Sequence, residues 1–185
     1  LTKARTNADN VTADIAGITA STGLTGGGTS GTVTLAIDTG TTVDLATAQN
    51  LSNKVLIAPE ERTTVSTSAA TATTNFDADT QGVLYLTGST TSDWTLNVRG
   101  SGSTTLDTKL AVGDSLSIIF IVTNGGTAYK HSALTIDGNA QTVNWSGGTA
   151  PAAGNASSKD AYSFTIFKTA SATFTVFGAG PVKYA

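Results

Sequence analysis

From residue 83 to residue 177 the chain repeats one pattern, a short stretch suited to a β-strand followed by a cluster of turn-forming residues. The candidate strands are residues 83–87, 94–99, 115–123, 134–137, 141–145, 161–168 and 172–177. Between them stand Gly88-Ser89, residues 100–103, Asn124-Gly125-Gly126, Asp137-Gly138-Asn139 and residues 147–154, all rich in Gly, Ser, Asn or Asp. Several short strands at this rhythm predict an antiparallel β-sandwich. Trp94, Leu96 and Val98 alternate with Thr95, Asn97 and Arg99, so that strand has one apolar and one wet face. Residues 115–123 break the rule. Leu116, Ile118, Phe120 and Val122 line one face, while Ile119 and Ile121 make the other apolar as well. A strand apolar on both faces needs cover from outside its own two layers. A neighbouring subunit is the preferred cover, and a loop is the alternative.

Composition supports strands over helices. There are 36 threonines and 20 glycines among 185 residues, and charged residues make up 12 % against a usual share of about 25 %. Threonine is β-branched and stiff at its first side-chain torsion, which suits a pleated backbone. The net charge is −3, and the ten Lys and Arg residues are scattered along the chain. Nucleic-acid binding, which uses ~6–10 clustered phosphate contacts, is therefore not expected. No stretch approaches the ~18 apolar residues of a membrane-spanning helix. There are no cysteines, so disulfides and thiolate metal sites are excluded. The opening Leu1-Thr2-Lys3 lacks an initiator methionine and a signal core, as expected of a piece of a longer protein.

Three regions are expected: a coiled-coil stem over residues 1–17, a β shaft over 18–57 and a β-sandwich head over 58–185. In the stem, Leu1, Ala4, Ala8, Val11, Ile15 and Ile18 recur at alternating spacings of three and four, the a/d seam of a coiled coil. Such a short helix needs partner chains, and an irregular terminus is the alternative. In the shaft, Val33, Leu35 and Ile37 alternate with Thr32, Thr34 and Ala36 after a glycine-rich turn, one half-buried strand with no core of its own. Three copies wrapped about a common axis would supply the missing cover. Val11, Ile15, Ile18, Ile119 and Ile121 are thus the candidate trimer-interface residues.

Motifs for chemistry are sparse. Gly26, Gly28 and Gly31 have the GxGxxG spacing, but a strand rather than a helix is expected to follow, and Thr29 stands where a phosphate loop needs lysine. Asp77, Asp79 and Gly82 resemble the start of a calcium loop, whose bidentate glutamate would fall at Gly88. His131 is the single histidine, Glu60 and Glu61 are adjacent at a segment boundary, and no base is paired with a nucleophile. No catalytic residue, metal or cofactor is expected. Recognition is the remaining role. Tyr129, Lys130, His131 and Trp145 place aromatic and polar groups beside flexible loops, the candidate receptor-binding residues. The alternative for Trp145 is a core position, alternating with Val143.

The stretches GLTGGGTSGTVTLAID and TAQNLSNKVL resemble shaft segments of phage tail fibres. From near Glu61-Arg62 almost to Ala185 the chain resembles the C-terminal module of tail-fibre-like proteins of marine tailed phages, particularly those of cyanobacteria. GGTAPAAGNASS, followed by two aromatic-rich strands, is its most specific piece, and the ending GAGPVKYA departs from it. The resemblance implies a homotrimeric virion fibre on the exterior of the particle. Other tail or baseplate proteins and a host-surface carbohydrate or protein would be its partners, and it carries over no catalytic residue. A capsid or baseplate decoration fibre without a receptor role, or a glycan-degrading spike, are the alternative readings.

Overall fold

The computed structural model describes residues 17–29, 32–40, 42, 43, 55 and 57–185. These are β-strands with one short helix and one 3-10 turn, an all-β chain. Two compact units are present, Leu1–Ile57 and Ala58–Ala185. The heptad seam up to Ile15, including Val11, lies outside the described residues.

In the first unit, β1 (Ile18–Thr19), β2 (Leu24–Gly28) and β3 (Leu35–Ile37) form an antiparallel sheet in that order. Ile18, the last position of the heptad seam, is therefore extended. The glycine-rich stretch expected to be a turn is instead the central strand. Gly26 and Gly27 have φ of +102° and +120°, and a Cβ there would stand 2.3 Å from the Thr34 carbonyl oxygen and 2.5 Å from that of Ile18. Only glycine lets both neighbours approach so closely. Leu24, Leu35 and Ile37 are exposed in the single chain.

The second unit contains β4 (Thr63–Ser66), β5 (Thr73–Asp77), β6 (Val83–Thr90), β7 (Trp94–Arg99), α1 (Leu106–Lys109), β8 (Ser115–Asn124), β9 (His131–Ile136), β10 (Asn139–Gln141), β11 (Val143–Trp145), β12 (Ser158–Ala170) and β13 (Thr173–Tyr184). One sheet has the order β10-β9-β7-β5 and the other β11-β13-β12-β8-β6-β4. Phe76, Trp94, Leu96, Val98 and Leu134 from the first join Leu84, Ile118, Phe120, Tyr162, Phe164 and Ile166 from the second in one core. Trp94 meets Phe120 and Tyr162 across it, edge to face at 4.8 and 5.0 Å.

The expectation of a wholly antiparallel head is corrected. β4/β6, β6/β8, β5/β7, β7/β9 and β11/β13 pair in parallel, and only β8/β12, β12/β13 and β9/β10 are antiparallel among the described strands of this unit. The cause is the route of the chain. From β4 to β9 successive strands belong to opposite sheets, so the chain crosses the core at each turn and returns to its own sheet in the original direction. Residues 100–103 and Gly125-Gly126 lie in connections between the layers, Gly88-Ser89 falls inside β6, and Asp137-Gly138 does turn a hairpin, between β9 and β10.

Helix α1, not foreseen, is held at both ends. The Asp137 carboxylate accepts from the amides of Leu106 (2.7 Å) and Asp107 (3.1 Å), and buried Lys168 donates from Nζ to the Leu110 carbonyl (2.9 Å) while pairing with Asp107 (2.8 Å).

Candidate functional site

Residues 129–132 and 145–155, which contain the four candidate recognition residues, are brought together at one place and tied to each other. Lys130 Nζ donates to the Ala152 carbonyl at 3.0 Å, and the Lys130 amide donates to Asp93 Oδ1 at 3.0 Å. Gly154 lies so close to the Tyr129 carbonyl that a Cβ there would stand 2.0 Å from it. Beneath them is a polar anchor. Asp160, wholly buried, accepts from the Asn155 amide (2.8 Å), Asn155 Nδ2 (2.8 Å) and Asn124 Nδ2 (3.0 Å). Asn124 also donates to the Tyr129 carbonyl (3.2 Å) and accepts from the Thr90 hydroxyl. A buried carboxylate satisfied by three donors fixes the second loop against the first.

These segments border a cleft of about 490 Å³ lined by Asp93, Lys130, His131, Ser132, Gln141, Trp145 and Pro151, among others. It lies where the β9–β10 end of one sheet meets β11, the edge of the other. Three of the four expected receptor-binding residues therefore share one cleft, while Tyr129 is half-buried beside it and is not among its lining.

His131 is not a surface residue. It is 7 % exposed and packs against Trp145 (5.1 Å between ring centroids), Trp94 (5.3 Å), Phe164 (5.7 Å) and Tyr162 (6.3 Å). Burial lowers its pKa to about 4, so the imidazole is neutral at pH 7. Burial likewise pushes the Tyr162 phenol above its usual range. Trp145 is half-buried, with His131 and Phe164 on its core side and the cleft on the other, so both readings of it hold in part.

The remaining candidates have other settings. Asp77 pairs with Arg99 (2.6 Å) and Asp79 with Lys109 (2.7 Å), so both carboxylates of the calcium-like motif already face cations. Gly26 and Gly28 of the GxGxxG spacing are in β2, followed by another strand rather than a helix. No group of three His, Asp or Glu side chains able to hold a metal occurs among the described residues. Ile119 (42 % exposed) and half-buried Ile121 point outward from the six-stranded sheet.

Asp93, Asn124, Gln141 and Asp160 were not anticipated. Only Asn124 and Asp160 carried a signal, since Asn124 shares strand parity with Phe120 and Val122, and Asp160 with Tyr162, Phe164 and Ile166, so both stand on an apolar face. No family model matches the chain, and no curated protein or solved structure matches it.

Proposed function

We propose that this chain is a virion fibre protein of a tailed phage. In this reading it is a homotrimer with a coiled-coil stem, an intertwined β shaft and a β-sandwich head that attaches to the host surface without cleaving it. The observation that carries the reading is the contrast between the outer faces of the two sheets. Outside the four-stranded sheet, Asn75, Asn97 and Thr135 form a hydrogen-bonded polar row, suited to water (Asn97 Nδ2 to Asn75 Oδ1 2.9 Å, Thr135 Oγ1 to Asn97 Oδ1 2.8 Å). Outside the six-stranded sheet, ladder partners form a row Val65–Tyr85–Ile121–Ala161–Val182, beside Val83–Ile119–Ser163–Ala179. Val65, Ile119, Phe167, Phe177, Val182 and Tyr184 are between 39 and 63 % exposed. Lys159 is the one charged residue among the outward positions of β6, β8 and β12, all within the described residues.

An apolar band of this kind, bordered by the Ser117–Thr165 hydroxyl pair at 3.3 Å, is an interaction surface rather than ordinary protein exterior. Copies of the chain suit it, because contact there brings few like charges together although each carries a net −3. The exposed Leu24, Leu35 and Ile37 of the first unit ask for the same kind of cover. The cleft and its tied loops lie at the β11 edge of that sheet, where they would meet a host carbohydrate or protein. Three heads per fibre multiply weak single-site binding, by ~10²–10⁴ for linked sites.

Sedimentation equilibrium at micromolar concentration should give three times the chain mass, and a well-folded monomer would overturn the architecture. The purified protein should slow phage adsorption to host cells and release no reducing sugar from host polysaccharide. A trimer that leaves adsorption unchanged would be a capsid or baseplate decoration, and one that releases sugar would be a glycan-degrading spike.

A further inference from the structure

We infer that the cleft between β9 and β11 takes a neutral, hydroxyl-rich sugar ring, an inference that rests on the recognition role proposed above and names its ligand class. The groups left unengaged at the cleft decide the chemistry. Lys130 is its only lysine or arginine, and its Nζ is held by the Ala152 carbonyl at 3.0 Å, with its charge and two N–H donors left. Asp93 gives Oδ1 to the Lys130 amide at 3.0 Å, which leaves Oδ2 to accept from a ligand. Gln141 donates one Nε2 hydrogen to the Asn139 carbonyl at 3.1 Å, leaving Oε1 as a second acceptor and one N–H as a donor, and the Ser132 hydroxyl is exposed. His131, neutral at pH 7, adds no positive charge.

A cleft whose free groups are a carboxylate, an ammonium, an amide and a hydroxyl offers both donors and acceptors, which suits a ligand whose hydroxyls do the same. The charges of Lys130 and Asp93 offset each other, so phosphates, sialic acids and uronic acids find no net positive charge there to repay the loss of their hydration. Trp145 and Pro151 add apolar surface for the carbon faces of a pyranose, beside the polar groups that would orient its hydroxyls. A volume of about 490 Å³ is within the usual range for small-ligand sites, roughly 300–1,000 Å³. The loops need no large rearrangement, because Asp160 and Gly154 already fix them, so little ordering cost is left for binding.

The test uses the full chain at pH 7 against immobilised neutral oligosaccharides (hexose and N-acetylhexosamine), sialylated and uronic-acid oligosaccharides, and a lysine-rich peptide. Neutral sugars should be retained and anionic ones not. Asp93→Asn keeps the Lys130 contact but removes the charge, and should weaken sugar binding about tenfold with an unchanged melting temperature. Gln141→Ala, at a half-buried rim position, should weaken it as well. Retention of anionic sugars, preference for the peptide, or unaltered sugar binding by both variants would overturn the inference. Adsorption separates this claim from the one beneath it. If the chain slows phage adsorption but Asp93→Asn and excess neutral sugar make no difference, the ligand class is wrong and the recognition role stands. If neutral sugars bind at Asp93 yet adsorption is untouched, the cleft is right and its role as a host receptor site is wrong.

Discussion

His131 stands among four aromatic rings, where a proton on its imidazole would lose most of its hydration. The folded pKa of about 4 lies below the unfolded value near 6.5, so between these limits the unfolded chain binds more protons. Stability should be unaffected by this group above pH 6.5, fall as pH drops toward 4, and stop falling below it. From pH 7 to pH 5 the loss is about 2 kcal/mol. Urea denaturation of His131→Phe beside the parent should show that part of the slope gone, and parallel curves would refute the assignment. Asp160 is the second such residue. Asp160→Ala would leave three buried donors unsatisfied, and ~2–4 kcal/mol of stability should be lost, with amide exchange quickening in residues 150–157 before the core. Its burial was legible in strand parity. Its partners were not, because Asn124 is 36 positions away and only the fold brings it near.

At the scale of elements, β8 shows what periodicity can reveal and where it stops. Alternation depends on neighbouring residues alone, so the inward Ile118, Phe120 and Val122 and the outward Ile119 and Ile121 were readable directly. Strand direction was not, because an arch between layers and a hairpin within one use the same glycines, asparagines and serines. β4 and β5 escaped notice since Thr-Thr-Val-Ser and Thr-Thr-Asn-Phe-Asp offer little apolar alternation, and α1 because four residues held by distant Asp137 and Lys168 have no helical period to detect. The outward positions yield a prediction of their own. Ile119→Asp or Ile121→Asp should abolish or strongly weaken assembly, read by sedimentation, while a Thr95→Asn change on the wet face of β7 leaves it intact. Equal behaviour of the three variants would mean that the outer face of β8 stays in water.

For the whole molecule, the nature of the apolar face sets how assembly should respond to its medium. Association through exposed Ile, Val and Phe with a single lysine nearby should hold or strengthen between 0.05 and 1 M sodium sulfate, whereas an interface built on ion pairs would loosen as salt screens it. Sedimentation across that series distinguishes the two, and dissociation at high salt would exclude this face as the principal contact. The broad β character was readable because threonine, low charge and short alternating runs agree at every level. The division of labour between a wet and an apolar sheet was harder to see, since it depends on which strands become neighbours across five parallel pairings.

The winding of β4 through β9 builds both sheets step by step. Each circuit adds a strand to both sheets: Thr63 to Val83 is the first, and Val83 to Ser115 the second, with α1 as an insertion in it. At the later end the β12–β13 hairpin carries one sheet past β8 to the edge strand β11, and β10 is the edge beside β9. At the earlier end β4 and β5 are edges, and another circuit could be laid on them without disturbing the cleft or any existing pairing. A head built this way can grow in steps of one circuit of about 20 residues, in the manner of a coil lengthened from its free end. Change in the size of the unit is thereby uncoupled from change in the cleft.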